Sequence, residues 1–505
     1  MQTKTYEDIN ERLSRGEAVV LTAMEFKDLA RDLDPAELVR EVDVVTTATF
    51  APMCSSGVFL NFGHSDPPIR MEEISLNGVP AYEGLAAVDA YLGATAEGPG
   101  NTGYGGAHVI ESLVRGEEVR LSARGKGTDC YPRTSLETSV SLDRINEAWF
   151  FNPRNGYQNY GAAANGSPRP LRTYMGILEP EYGSVSYSTS GELSPLLNDP
   201  ECRTVGVGTP VFLCGARGRV VGPGTQYCDG REKGRSGLPL SGARTLALWA
   251  DLKEAEEEFL AAARYDGYGI SLFVGLGLPI PVLDEDLARR LSVRDGDIET
   301  DARDYSRPGR PVVGRYTYSE LRSGSVEIEG RRAPTSSQSS LAKARRIADV
   351  LKERVLDGRF PLEAPREPLP EGRVQRPLSA RSPGWTPGAA ELRTARPGVG
   401  PAGYRRARCV DCGSCVAHCP AGALSIGAPD WTLRYEASLC DGCGACFSAC
   451  PREALGGGRT KTVPIRRPAV FPDVVPDVLP AVEPAIESAI GSAAGRAGRP
   501  VRVRA

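Results

Sequence analysis

Several things are missing from this 505-residue chain. Met1–Arg12, MQTKTYEDINER, lacks the apolar segment of a secretory signal. No apolar run reaches the roughly 20 residues that a spanning helix needs; the longest uncharged one, Gly267–Leu283, is broken by Pro279 and Pro281. There is no excess of basic charge, the formal net charge being -4, so the balance gives no sign of nucleic acid. No glycine cluster completes a dinucleotide fingerprint: Gly206-Val-Gly208 and Gly275-Leu-Gly277 both fall short, and no Walker lysine is present. The expectation is a cytoplasmic protein with no membrane or nucleic-acid partner and no nicotinamide cofactor.

What is present is ordinary for a globular chain, with 41% hydrophobic and 25% charged residues. This excludes a wholly disordered chain, a collagen and a small disulfide scaffold. The charge is unevenly divided. Residues 361–505 carry 19 Lys+Arg against 13 Asp+Glu, a charge of +6, and the other 360 residues carry 41 against 51, a charge of -10. Opposite signs favour docking of the two parts, weakly because salt screens it. Eight of the 13 cysteines lie between Cys409 and Cys450; the others are Cys54, Cys130, Cys202, Cys214 and Cys228. Such clustering reads as metal or redox chemistry.

Four segments are expected. Residues 1–357 mix helix and strand signals and read as a mixed α/β (α+β) catalytic domain. Thr22-Ala-Met-Glu25 is a capping box, and Asp34-Pro35 a cap followed by Pro at the first helical position. Strands are expected at Glu41–Thr49, Val119–Ser122, Gly206–Leu213 and Ser271–Val274. Helices are expected at Ala107–Arg115, Ala243–Arg264 and Ser339–Leu356. Residues 358–404 read as a Pro/Gly/Arg-rich linker, with 8 Pro and 5 Gly in 361–400. Residues 405–460 form a repeated cysteine module, and 461–505 a mostly disordered tail with a short helix near Ala481–Ala494.

The module holds two copies of C-x2-C-x2-C-x3-C-P, CVDCGSCVAHCP (409–420) and CDGCGACFSACP (440–451). This is the run of bacterial two-cluster ferredoxins, in which the fourth cysteine of each copy reaches the other cluster. Cys409, Cys412, Cys415 and Cys450 are thereby assigned to one [4Fe–4S] cluster, and Cys440, Cys443, Cys446 and Cys419 to the second. Small residues such as Gly413, Ser414, Gly442 and Gly444 leave room for backbone N–H groups near sulfur. Zinc sites also use CxxC pairs, but two four-cysteine runs ending in Cys-Pro fit zinc poorly. The module resembles bacterial ferredoxins and is expected to carry single electrons, so the N-terminal domain is expected to consume them.

Two N-terminal cysteines stand in polar, glycine-bearing company. Cys54, in FAPMCSSGVFL, follows a predicted strand, and a strand-to-helix turn there would place helix amides near its sulfur. Cys130, in GKGTDCYPR, is flanked by Lys126 and Arg133. Either is a reactive thiolate or a small buried hydrophobe. Cys202, Cys214 and Cys228 read as buried structural thiols. Asn61, His64 and Asp66 follow Cys54, and the Asp66 carboxylate is placed to orient the His64 ring. His108 and His418 read as structural. Gly98–Gly106 runs into a helix and offers amides to an anion, or is a plain turn. Arg154, in FNPRNGYQNY, is a candidate partner for a substrate carboxylate.

These strings carry a family resemblance. FAPMCSSGVFLNFGHSDPPIRM (50–71), NGVPAYEGLAAVDAYLGAT (77–95), YGGAHVIE (104–111), GTDCYPR (127–133), FNPRNGYQNY (151–160) and STSGELSPLLNDP (188–200) resemble the homocysteine-biosynthesis family of L-aspartate semialdehyde sulfurtransferases. The match covers residues 1 to about 355 and weakens at FLCGARGR (212–219). It implies two functional cysteines, falling on Cys54 and Cys130, and a ferredoxin-type partner that is here fused. Converting an aldehyde and sulfide to a thiol and water consumes two electrons and two protons. The implied scheme has Cys54 carry sulfur or attack the aldehyde. Cys130 then resolves the intermediate as a Cys54–Cys130 disulfide, which the two [4Fe–4S] clusters re-reduce. His64 is assigned the proton, Arg154 the carboxylate and the Ser55 and Ser56 amides the oxyanion, with Asn61 and Asp66 lining the site. The implied partners are L-aspartate semialdehyde, sulfide or a persulfide donor, and an upstream low-potential electron donor; homo-oligomer formation stays open. The rival readings are another ferredoxin-dependent sulfur transferase or disulfide reductase, and a non-enzymatic electron-transfer adaptor.

Overall fold

The computed structural model describes residues 3–100, 103–155, 159–376, 378, 391–393, 404–456 and 462–464. Of the expected tail only Thr462–Pro464 is described, a strand paired with Glu391–Arg393; the expected helix near Ala481–Ala494 lies outside the described residues. The described chain is mixed α/β, as the sequence indicates. No helix among the described residues is long and apolar enough to cross a membrane.

Three N-terminal elements lead into the site: strand β1 (Val20–Thr22), strand β2 (Val44–Pro52) and strand β3 (Gly57–Asn61). The helices between β1 and β2, Ala23–Leu29 and Pro35–Glu41, start at the capping boxes of Thr22 with Glu25 and Asp34 with Glu37. A ten-stranded sheet runs in the order β1, β2, Gly269–Pro281, Pro210–Leu213, Ala216–Pro223, Leu246–Asp251, Glu147–Asn155, β3, Asp89–Gly93, with Leu260–Tyr265 added beside Gly269–Pro281. β1 and β2 are parallel, and the neighbouring pairs beyond them antiparallel. β2 and β3 stand six positions apart in this order, about 29 Å in a flat sheet at about 4.8 Å per strand. Residues 53–56 join them, and five peptide steps reach at most about 18 Å. The sheet is therefore rolled, and the short β2–β3 turn sits where its two ends meet.

Most of the longest uncharged apolar stretch, Gly269–Pro281, is a strand of this sheet buried beyond its first residue. The helix Leu341–Leu356 lies across it and β2. At Gly275 a Cβ would stand 2.8 Å from the Ile347 Cδ1, and at Gly277 3.0 Å from the Leu351 Cδ2. These glycines allow close helix–strand approach, not nucleotide binding. A second sheet of six strands and a third of four (Val79–Ala81, Glu73–Leu76, Val119–Arg124, Ser135–Val140) complete the domain.

Two expectations need correction. Ala243–Arg264 is not a helix: it holds strand Leu246–Asp251, two 3-10 turns and strand Leu260–Tyr265. Leu246, Leu248 and Ala250 alternate inward with period two, and this outweighs the helix-forming acidic run, which lies exposed in the turns. The first part of the expected linker is not free chain either. Phe360, Leu362 and Leu369 are buried, Glu367–Pro368 pairs with Gly206–Val207, and the Gly372 and Arg373 amides donate to Asp229 at 2.9 Å.

The cysteine module packs onto the N-terminal domain. Arg452, 7% exposed on its side chain, meets Glu111 at 2.7 Å and also donates to the Ala262 carbonyl. The Arg264 N–H donates to the Pro451 carbonyl at 2.8 Å. Ser414 Oγ donates to Gln338 Oε1 at 2.9 Å, and His418 pairs with Glu179 at 2.7 Å. Val410 and Cys412 join the same apolar core as β2 and the helix Leu341–Leu356. The contacts combine one buried ion pair, side-chain and backbone hydrogen bonds and apolar packing, so they go well beyond net charge.

Candidate active site and iron–sulfur sites

Cys54 sits in the β2–β3 turn. This is a strand-to-strand connection, so the expected helix amides are not there. The turn is fixed from beneath. Ser56, 2% exposed, donates from its hydroxyl to the Met53 carbonyl at 2.8 Å and accepts from Asn152 Nδ2 at 2.8 Å. The Ser56 N–H also bonds the Met53 carbonyl, at 3.2 Å, so it is committed to the turn and unavailable to an oxyanion. Ser55 remains at the cavity wall.

Cys54 is half-buried and lines a cavity of about 690 Å³. Glu97, Arg154, Tyr174, Tyr268 and Arg310 share the lining. The Tyr268 hydroxyl donates toward Cys54 Sγ at 3.7 Å. Burial first, and then the Cys54 sulfur, push the Tyr268 hydroxyl well above its ordinary value, so it stays a donor. Arg154 is held by Nε donating to Thr225 Oγ1 at 3.0 Å. Arg310 lies over the Tyr305 ring at 4.1 Å and donates to the Tyr174 hydroxyl at 3.4 Å. A thiol thus faces two guanidiniums and a carboxylate across one cavity, an arrangement suited to a small amino acid with an electrophilic end. A second hollow of about 770 Å³, beside Ala23–Leu29 and Pro35–Glu41, is lined by aliphatic and charged side chains with no thiol or imidazole.

The other predicted residues gather elsewhere. Asn61 ends β3, bonding Asp89, Gly63 and Asn146. His64 is exposed and stacks on Tyr131 at 6.1 Å. No hydrogen bond joins Asp66 to His64 among the described residues; the Asp66 carbonyl instead accepts from Arg133 at 2.7 Å. Cys130 is exposed in the turn Thr128–Tyr131, on the loop that Arg133 ties to Pro67 and Pro68. Cys54 precedes the start of β3 and the Cys130 loop lies beyond its end; β3 alone spans about 13 Å. Both thiols are free. Asn61, His64, Asp66 and Cys130 thus do not line the Cys54 cavity.

Cys214 and Cys228 are buried and Cys202 partly so, away from this lining. His108 caps a helix by accepting from the Gly105 N–H at 3.2 Å, and burial depresses its pKa to about 4. Tyr268, Tyr174, Arg310 and Glu97 were not singled out in the sequence. They come from separate loops, and no local spacing connects them.

In the module, Cys409, Cys412, Cys415 and Cys450 line one small enclosed cavity. Backbone N–H groups point at these sulfurs: Asp411 at Cys409, 3.4 Å, and Ala454 at Cys450, 3.3 Å. Cys446, pushed up to about 12 by burial, next feels Cys419 and Cys443, and the Ala423 N–H donates to Cys419 at 3.2 Å. Four thiols lining one cavity, and Cys419 and Cys443 as neighbours of Cys446, with amides aimed at sulfur, suit iron–sulfur ligation.

Comparison with known proteins agrees. Residues 18–362 match the family described as "Homocysteine biosynthesis enzyme, sulfur-incorporation", and residues 403–455 match the "4Fe-4S dicluster domain". The chain is 49% identical over 373 residues to the L-aspartate semialdehyde sulfurtransferase of Methanosarcina acetivorans, covering 73% of this chain and 72% of that one. It is 48% identical over 378 residues to that of Methanocaldococcus jannaschii, covering 71% and 72%. An uncharacterized protein of Methanothermobacter thermautotrophicus is 33% identical over 332 residues, covering 63% and 72%. No solved structure matches.

Proposed function

This chain belongs to the sulfur-incorporating family of homocysteine biosynthesis enzymes, and on that premise we propose that it converts L-aspartate semialdehyde and sulfide to homocysteine at Cys54. The observation that carries the reading is the Cys54 thiol facing Arg154, Arg310 and Glu97 across one cavity. The guanidiniums take the α-carboxylate, Glu97 takes the α-ammonium, and the aldehyde points at the thiol.

The chemistry balances as follows. Sulfide adds to the aldehyde carbon and water leaves, giving a thioaldehyde. The Cys54 thiolate bonds to its sulfur while the carbon takes a proton, giving a mixed disulfide. Cys130 displaces homocysteine, leaving a Cys54–Cys130 disulfide. Two electrons and two protons restore the thiols. Tyr268 holds the Cys54 sulfur by its hydrogen bond. The resolving step requires the Gly125–Arg133 loop to swing toward Cys54, because β3 separates the thiols in this conformation. His64, on the same side as that loop, is the base for Cys130 in this scheme. The clusters held by Cys409, Cys412, Cys415 and Cys450, and by Cys419, Cys440, Cys443 and Cys446, supply low-potential single electrons when bound.

The test is an anaerobic assay of cluster-loaded protein with L-aspartate semialdehyde, sulfide and a low-potential reductant, reading homocysteine by mass spectrometry. Wild type forms it and Cys54→Ser does not. No homocysteine from loaded wild type transfers the reading to another sulfur acceptor. If the Cys54 thiol also proves inert, the adaptor reading takes its place.

A further inference from the structure

The hairpin Leu260–Tyr265/Gly269–Pro281 touches both halves of the chemistry. At its turn, the Tyr268 N–H bonds the Tyr265 carbonyl at 3.1 Å, and the Tyr268 hydroxyl reaches Cys54. On its other side, the Arg264 N–H bonds the carbonyl of Pro451, the residue after Cys450, and the Ala262 carbonyl accepts from Arg452. Tyr265 lies between. It is 4% exposed, its ring meets that of Tyr268 edge-on at 6.4 Å, and its hydroxyl has no hydrogen-bond partner among the described residues. A buried hydroxyl is rarely left unpaired, and Tyr265 shares one apolar core with Val410 and Cys412 of the module. After burial, the groups that raise it furthest are Cys412 and Cys54, then Tyr268 and Cys450. Sulfur accepts hydrogen bonds, and such bonds tune the potential of an iron–sulfur centre.

We propose that Tyr265 couples Cys54 to the four-cysteine site Cys409, Cys412, Cys415 and Cys450, and that this site, not the one of Cys419, Cys440, Cys443 and Cys446, exchanges electrons with the reacting sulfur. The inference rests on the proposed function only in taking Cys54 as that sulfur. The step served is cleavage of the S–S bond formed by Cys54: two electrons, arriving singly from a low-potential donor, and two protons give two thiols. Tyr265 is a positioning residue, neither oxidised nor consumed. The second site then faces the external donor, and its Cys443 is exposed.

The test uses the full cluster-loaded chain and an EPR-monitored redox titration without substrate. Tyr265→Phe lowers one of the two midpoint potentials and leaves the other. Tyr435→Phe is the control, since Tyr435 packs against the module core that holds Cys446 and its hydroxyl is raised by burial and then by Cys440, Cys446 and Cys419; it moves the other potential. In single turnover from pre-reduced protein, Tyr265→Phe slows oxidation of the clusters by aldehyde and sulfide about tenfold or more, and Tyr435→Phe does not. A second measurement needs no variant. Loading Cys54 of wild type with a sulfane sulfur from polysulfide perturbs the EPR signal that Tyr265 governs. Unchanged potentials in Tyr265→Phe, or a Cys54 adduct that perturbs neither signal or only the other, overturns the proposal. Should Tyr265→Phe fail to load, the adduct experiment alone decides. Homocysteine is read separately: its absence with the EPR effects intact sinks the function alone, and its presence without them sinks the coupling alone.

Discussion

The hydroxyl of Tyr268 stands 3.7 Å from the sulfur of Cys54 and is held protonated by burial and by that sulfur. The tyrosine comes from the turn of the hairpin whose second strand, Gly269–Pro281, pairs with β2, and the cysteine from the turn that follows β2. A hydrogen bond to a charged acceptor contributes about 1.5–3 kcal/mol. Tyr268→Phe is therefore expected to lower kcat by about tenfold or more. Steady-state kinetics of wild type and Tyr268→Phe check this.

Arg154 is aligned by Thr225 and faces the cavity. Arg154→Ala is expected to raise KM for L-aspartate semialdehyde about 10- to 100-fold with a smaller change in kcat, since the lost contact is to a group that does not react. Arg154→Lys recovers little, because a bidentate grip on a carboxylate is lost. Steady-state kinetics of the three proteins check this.

If Cys130 resolves the intermediate, acid quenching during turnover, followed by alkylation and peptide mapping, finds a Cys54–Cys130 disulfide in wild type. Cys130→Ser instead accumulates homocysteine bound to Cys54 as a mixed disulfide. An enzyme whose turnover survives Cys130→Ser undiminished would remove Cys130 from the scheme.

The Arg452–Glu111 pair is buried on both sides. Arg452→Met leaves a buried carboxylate with only the partly exposed Arg115 as ionic partner, and is expected to cost about 3 kcal/mol. Limited proteolysis then releases residues 404–456 faster than in wild type. Adding Glu111→Gln recovers part of the loss, a coupling that a double-mutant cycle quantifies.

His108 must be neutral to accept from the Gly105 N–H, and burial depresses its pKa to about 4 from 6.5. The unfolded chain binds this proton first on acidification. The contribution is thus fully present above pH 6.5 and is lost as pH falls toward 4. Between pH 7.5 and pH 5 the loss is about 2 kcal/mol. Denaturation midpoints of wild type fall over this range more steeply than those of His108→Asn.

How much was readable depended on how local each signal is. The eight module cysteines are read from two short runs, because ligand spacing is a property of adjacent residues. The caps at Thr22 and Asp34 are equally local, and both helices start there. Ala243–Arg264 misleads because its acidic helix formers are exposed in turns, while the pattern that decides, Leu246, Leu248 and Ala250, is short. Cys54 stood out by its neighbours, but Tyr268 reaches it through the strand beside β2 and Arg310 from a loop of the six-stranded sheet, pairings that leave no trace in local spacing. The same proximity in sequence made His64 look like a partner of Cys54, whereas an extended β3 carries it away.

The short turn bearing Cys54 joins strands that are six places apart around the rolled sheet. A chain that has paired Gly269–Pro281 with β2 but not Glu147–Asn155 with β3 has the thiol near Tyr268 and without Arg154. Long-range pairings of this kind form slowly. The cavity beside Cys54 is therefore assembled by pairings between segments far apart in the chain, and every one of them must be in place before the thiol has its neighbours.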